Sequence, residues 1–167
     1  YRSVVEINPN LVDAHYNFGV LMTTQRRLSE AAMAFRKALE INPDHAESHN
    51  NYAYLLMTEG KLDEAEKHYR AAIENQPGHR QAHFNLARIL VAHDRAREAI
   101  EHLLQTLEPE DDSTPNYMYA LGAAYARVGE KQKALQYIRE AKTRAEALGQ
   151  QELVRSMEQD LRVLEGP

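Results

Sequence analysis

Histidine is the residue of this chain best suited to chemistry, and its eight copies are regularly placed. His45 and His49 stand four apart, as do His79 and His83. On one helix face that spacing would offer zinc two nitrogen ligands. Pro43 and Pro77 lie just upstream, however, which puts His45 and His79 at or before a helix start. No motif of another kind supports catalysis. The chain has no glycine-rich phosphate loop, no Gly-x-Ser-x-Gly elbow and no His-Glu-x-x-His pair. It has no cysteine, which excludes disulfides and thiolate chemistry. We therefore assign no catalytic residue, no metal site and no cofactor, and read the chain as non-enzymatic.

The histidines follow a larger pattern. His15, His49 and His83 share one place in a 34-residue period, His45 and His79 a second, and His68 and His102 a third. Duplication of one ancestral unit spreads residues in this way. Other landmarks keep the same step: Ala31, Ala65 and Ala99; Phe35, Tyr69 and Leu103; Pro9, Pro43 and Pro77. A fourth copy, shifted by one residue, runs through Tyr119, Leu121, Gly122, Tyr125, Gly129, Ala134, Ile138 and Ala141. Self-similarity at this length marks a solenoid, in which each unit buries its apolar face against its neighbours. Neighbouring units stand about 10 Å apart, as packed helices do, too far for equivalent histidines to share one ion.

Each unit reads as two helices and two turns. In the second, Tyr52, Leu55 and Leu56 recur at helical spacing before Gly60 interrupts. Leu62, Ala65, Tyr69, Ala72 and Ile73 then recur in the same way until Pro77. Gly60 and Gly129 suit the left-handed conformation that closes a helix, and Asp94 tolerates it. Arg26 holds this place in the first unit, where positive φ costs about 1 kcal/mol, so that turn is expected to be the least regular.

Gly19, Ala53, Ala87 and Gly122 on the first helices, with Ala31, Ala65, Ala99 and Ala134 on the second, let each pair approach closely. Phe18, Tyr52, Leu86 and Leu121 fill the space beside them. This combination resembles the tetratricopeptide repeat, a 34-residue antiparallel helix pair. The resemblance runs from Tyr1 to about Ala147, with His15, His49, His83 and Met118 where the family most often has Trp. It implies an all-α, right-handed superhelical solenoid of antiparallel helix pairs. The expected limits are a truncated second helix at 1–9, full repeats at 12–45, 46–79, 80–114 and 115–148, and a capping helix at 150–165, all in one continuous domain. The cap carries Leu153, Met157, Leu161 and Leu164 on one stripe and Glu152, Arg155, Glu158, Gln159 and Arg162 on the other. The acidic stretch 108–114 reads as a solvated loop, with Thr114 capping a helix that Pro115 opens.

Twenty-five acidic against 20 basic residues give a net charge of −5, which disfavours a general nucleic-acid or anionic-membrane binder. No apolar run reaches membrane-spanning length. Tyr1, Val4, Ile7 and Pro9 match Phe35, Ala38, Ile41 and Pro43, so the chain is read as beginning inside a unit, with its natural N-terminus and any targeting signal missing. No compartment is assigned; the cytoplasm is the default.

In the family the first helices line a concave face, and the resemblance assigns particular places of each unit to it. These give Asp13, Tyr16, Asn17, Val20, Thr23 and Thr24 in the first unit. The second gives Glu47, Asn50, Asn51, Tyr54, Met57 and Thr58. The third adds Gln81, Phe84, Asn85, Arg88, Val91 and Ala92, and the fourth Asn116, Tyr119, Ala120, Ala123, Ala126 and Arg127. Asn17, Asn51 and Asn85 thereby form a ladder that breaks at Ala120, similar to that of the peptide-binding superhelix of O-linked N-acetylglucosamine transferase. An amide offers a donor and an acceptor, so such a ladder can read a peptide backbone. It can equally brace neighbouring helices. Tyr16, Val20, Tyr54, Met57, Phe84, Val91 and Tyr119 supply aromatic and flexible apolar surface for anchors. Arg88 and Arg127 add positive charge, which suits an extended segment with apolar residues and one acidic group; an amphipathic helix competes. Chaperone-tail-binding members clamp a carboxylate with places held here by Tyr16, Val20, Asn51, Gln81 and Asn85. Only Asn51 matches, so that ligand is disfavoured.

The expected function is a protein-protein interaction scaffold that binds a peptide segment or partner protein in its groove. The alternatives are self-association through the terminal helices, or a substrate-recruiting arm of an enzyme whose catalytic part lies elsewhere. The partner itself is not named by the sequence.

Overall fold

A computed structural model of the chain describes residues 9–166, with side chains from Leu11. The expected partial unit at the N-terminus, apart from Pro9, lies outside the described residues. Among these residues there are helices and no strands: α1 Pro9–Thr24, α2 Leu28–Ile41, α3 Ala46–Thr58, α4 Leu62–Asn75, α5 Arg80–Ala92, α6 Ala96–Leu104, α7 Thr114–Arg127, α8 Lys131–Ala147 and α9 Gln151–Glu165. The described residues fall into two compact units, divided between Ala82 and His83.

In the first unit α1 packs on α2, α2 on α3, and α3 on α4. Met22, Ala31, Phe35 and Leu55 form one buried cluster, with Tyr16, Val20, Ala32 and Tyr52 packed around it. The close approach has a residue-level cause: a Cβ added to Gly19 would stand 2.6 Å from the Phe35 ring. In the second unit α6 packs on α7, α7 on α8, and α8 on α9. Met118, Leu135, Ile138, Ala141 and Ala145 are buried together with Val154, Met157 and Leu161 of α9. Leu153 and Leu164 lie at the edge of that cluster. The apolar stripe of α9 thus meets α8, as its spacing predicts, with Val154 as an additional buried member.

Helix ends follow local chemistry. Asn42 and Gln76 close α2 and α4 at φ of −130° and −139°, extended as a following proline requires. The turns inside the helix pairs use a left-handed residue, Gly60 at φ 78° and Gly129 at 83°, with Asp94 at 60°. Arg26 adopts 59° in the same place. The next residue closes the turn by donating its N–H five residues back: Arg27 to Met22 at 2.9 Å, Lys61 to Leu56 at 2.9 Å, Arg95 to Leu90 at 2.7 Å and Glu130 to Tyr125 at 2.9 Å. The expectation of an irregular first turn is therefore corrected. Packing of α1 on α2 imposes the same geometry on Arg26 that glycine adopts freely.

The start of α7 also differs from expectation. The helix includes Thr114, and Ser113 is its N-cap without a side-chain capping bond. Thr114 Oγ1 instead accepts the Asp111 N–H at 2.8 Å, so the hydroxyl tightens the preceding loop. Two outside contacts hold that loop: Gln150 Nε2 donates to the Asp112 carbonyl at 2.7 Å, and Arg144 pairs with Glu110 at 2.5 Å.

Candidate functional site

The histidines resolve first. His45 precedes α3 and its Nδ1 accepts the Ser48 N–H at 3.2 Å, an N-cap role. His79 precedes α5, and its Nδ1 accepts the Ala82 N–H at 3.3 Å. Neither stands beside its i+4 neighbour as a ligand. His49 and His83 turn instead toward the second helices of their own repeats. His49 Nδ1 lies 2.8 Å from His68 Nδ1, and His83 Nδ1 lies 2.9 Å from His102 Nδ1. Among the described residues no group of three or more metal-ligating side chains converges.

The first-helix face of the first unit carries Tyr16, Asn17, Val20, Asn50, Asn51, Tyr54 and Met57. Asn17 and Tyr54 are exposed, whereas Tyr16, Val20, Asn51 and Met57 are half-buried. Asn51 is engaged within the fold: its Oδ1 accepts from Asn50 Nδ2 at 3.1 Å, and its Nδ2 lies 3.4 Å from the Tyr16 hydroxyl. Asn50 is 7% exposed, and its Oδ1 is buried without a hydrogen-bond partner. Thr23 and Thr58 turn their hydroxyls back onto the Gly19 and Leu55 carbonyls of their own helices.

In the second unit Asn85 is buried, at 4% exposure. Phe84 packs its ring against Tyr117 with centroids 5.0 Å apart. Tyr119 is half-buried and donates its hydroxyl to Asp160 of α9 at 2.8 Å. Burial, then that hydrogen bond to a carboxylate, pushes its phenol up to about 12. Between α5 and α7 lies a cleft of about 640 Å³. Ala120, Ala123 and Ala126 form its floor with Val91, and Arg88 and Arg127 are its only charged lining residues. Arg88 is exposed; Arg127 reaches Asp94 at 3.4 Å, both well solvated, a contact worth little. Ala120 is the place where the asparagine ladder breaks. Its methyl, with two others at helical spacing, is what leaves room for the cleft.

The site residues named from sequence are thus of two kinds. Asn17, Tyr54, Arg88 and Arg127 are open to solvent, while Asn50, Asn51, Asn85 and Tyr119 are buried or bonded within their own unit. Nothing in the sequence alone distinguishes them, because burial of a first-helix side chain depends on the size of its neighbours in the adjoining repeat.

Residues 57–150 match one tetratricopeptide-repeat family model and residues 16–80 match another. The chain belongs to the tetratricopeptide repeat family. Its fold is the all-α helical-repeat solenoid of that family. Among solved structures it is similar to MamA, with a TM-score of 0.75, 18% identity, and coverage of 90% of this chain and 87% of that one. It is similar to pilF of Pseudomonas aeruginosa, with a TM-score of 0.72, 20% identity, and coverage of 95% and 78%. YrrB, described as a TPR protein with an unusual peptide-binding site, gives a TM-score of 0.72, 17% identity, and coverage of 96% and 89%. At these identities the likeness concerns the fold. No curated protein matches the sequence. Tetratricopeptide repeats are protein-interaction scaffolds, typically without catalysis of their own, and the family implies protein or peptide partners. No described helix is long and apolar enough to cross a membrane.

Proposed function

We propose that this repeat domain binds an extended peptide segment on its first-helix face, seating an aliphatic side chain in the cleft between α5 and α7 and a neighbouring carboxylate against Arg88 and Arg127. The cleft carries the reading. Its floor is methyl surface, which gains from burying an apolar anchor. Its only charged lining residues are two guanidinium groups, which suit a carboxylate. In the first unit Asn17, Val20, Tyr54 and Met57 offer a second stretch of surface for the same class of ligand. There the Asn17 amide is open to a peptide group. Asn51 and Asn85 are read as braces that fix the helices carrying these groups. YrrB's description as a peptide binder accords with this reading.

The test is selection from a random-peptide phage library. Wild type is expected to enrich segments that place an aliphatic residue beside Asp or Glu. Ala123→Trp fills the cleft from an exposed helix position, and Arg88→Glu with Arg127→Glu reverses its charge; each is expected to abolish that enrichment while circular dichroism stays unchanged. Identical enrichment in all three proteins would overturn the proposal.

A second reading, self-association, rests on another observation. Phe18, Leu21 and Met33 of the first repeat are 46%, 50% and 69% exposed, and Phe18 and Met33 line an open depression of about 540 Å³ on α1 and α2. At the places of Phe18 and Leu21 the third repeat has Leu86 and Ile89, which are buried. Sedimentation at rising concentration separates this reading from the first, because it is insensitive to Ala123→Trp and is abolished by Phe18→Glu.

A further inference from the structure

The two histidine pairs connect the first and second helix of the second and third repeats, one pair in each compact unit. Only two nitrogens converge in each, fewer than the three protein ligands of an open zinc site. What the geometry describes is a ring-to-ring hydrogen bond, and in the second repeat its polarity can be assigned. His49 Nε2 lies 2.8 Å from the Pro43 carbonyl oxygen, which can only accept. That nitrogen therefore carries the proton, the neutral ring presents a lone pair at Nδ1, and His68 must donate from its own Nδ1.

A first added proton goes to His68 Nε2 and leaves the Nδ1–H···Nδ1 bond in place. A second must go to His49 Nδ1. Two N–H groups then face each other at 2.8 Å, and two cations share one helix pair. The surroundings resist the first step. His68 is held below the usual histidine range first by burial and then by His49, while Glu64, one turn earlier on α4, acts in the opposite sense. Tyr52 on α3 meets the His68 ring edge-on at 4.9 Å, and the α2–α3 connection presents the Pro43 carbonyl. In the third repeat Glu98, one turn before His102, is ion-paired with Arg95 at 2.6 Å. The first repeat has Ala34 opposite His15, and the fourth has Met118 and Tyr137, so neither can form this bond.

We propose that His49–His68 and His83–His102 are acid-releasable ties that hold the helices of the two inner repeats together at neutral pH and let them part once both rings of a pair are protonated. The inner repeats then soften in acid while the outer two do not. The sign follows from linkage: His68 resists protonation in the fold, so the unfolded chain binds more protons as pH falls below about 6.5. Stability is complete above that pH and declines from there toward the lower pKa of the folded state.

Two measurements test this. Imidazole ¹⁵N–¹H NMR of the intact chain at neutral pH is expected to show His49 protonated at Nε2 and His68 at Nδ1, with the His68 proton shielded from exchange. If His68 instead carries its proton on Nε2, the proposal fails. Thermal unfolding is then followed between about pH 7.5 and 5. The comparison is with a chain in which His49→Met, His68→Tyr, His83→Met and His102→Tyr copy the fourth repeat's own pair. Wild type is expected to lose several degrees of melting temperature over this range, at about 2–4 °C for each kcal/mol released, and the exchanged chain at most half as much. Equal losses in both would overturn the proposal. The NMR result stands whether or not the exchanged chain folds.

Discussion

Asn50 and Tyr119 occupy corresponding places in different repeats, yet their polar atoms have opposite fates. Asn50 spends one amide hydrogen on Asn51 and leaves a buried oxygen with no partner, a situation that costs about 1–3 kcal/mol. Asn50→Leu is therefore expected to raise the unfolding midpoint in denaturant; a lower midpoint would show that the amide is satisfied in solution in some other way. Tyr119 is bonded to Asp160, and its raised pKa means that the fold favours the neutral phenol. The sign is that of an acid with an elevated pKa: stability is complete below about pH 10 and is lost as pH rises toward 12. Ultraviolet titration of phenolate in wild type and in Asp160→Asn should differ by one tyrosine, whose ionisation moves from about pH 12 back toward the ordinary range. An unchanged late titration in that variant would assign the shift to burial alone.

The helix pair is the level at which sequence and structure agree most closely, and the reason is periodicity. Small residues at Gly19 and Gly122, the prolines after the second helices, and the left-handed turn places all recur at fixed offsets, so each is recognisable without coordinates. A Cβ on Gly122 would lie 2.5 Å from Ile138 Cγ1 and 3.2 Å from the Ala134 carbonyl. Gly122→Ala is thus expected to cost about 1–2 kcal/mol even though alanine is the better helix former. Conversely, Arg26→Gly should stabilise by about 1 kcal/mol, since it relieves positive φ at an exposed turn. Equilibrium denaturation of the two variants checks both, and opposite signs are the expected result. Less was legible where the outcome depends on contact across helices. The His49–His68 pair spans 19 residues of chain, well beyond the four-residue spacing of His45 and His49. Both members do recur 34 residues later, and that joint recurrence was the available signal. The three asparagines of the ladder look identical in sequence but range from exposed to buried, because their neighbours differ.

At the scale of the whole chain, stability in a repeat array is a sum of units and nearest-neighbour interfaces, so effects should stay local. Amide hydrogen exchange of Gly122→Ala is expected to rise in α7 and α8 and to leave α1 and α2 unchanged. For the proposed acidic ligand the net charge of −5 is unfavourable at long range, whereas Arg88 and Arg127 would act at contact distance. The floor between them is a row of methyl groups on the cleft side of α7, and it behaves as a mould whose depth is written one carbon at a time. Substituting valine or leucine at Ala120, Ala123 or Ala126 would make the cavity shallower in graded steps without moving the backbone. The same scaffold could in this way pass from large to small anchors by single-codon changes, and partner choice could diverge while the fold stayed still.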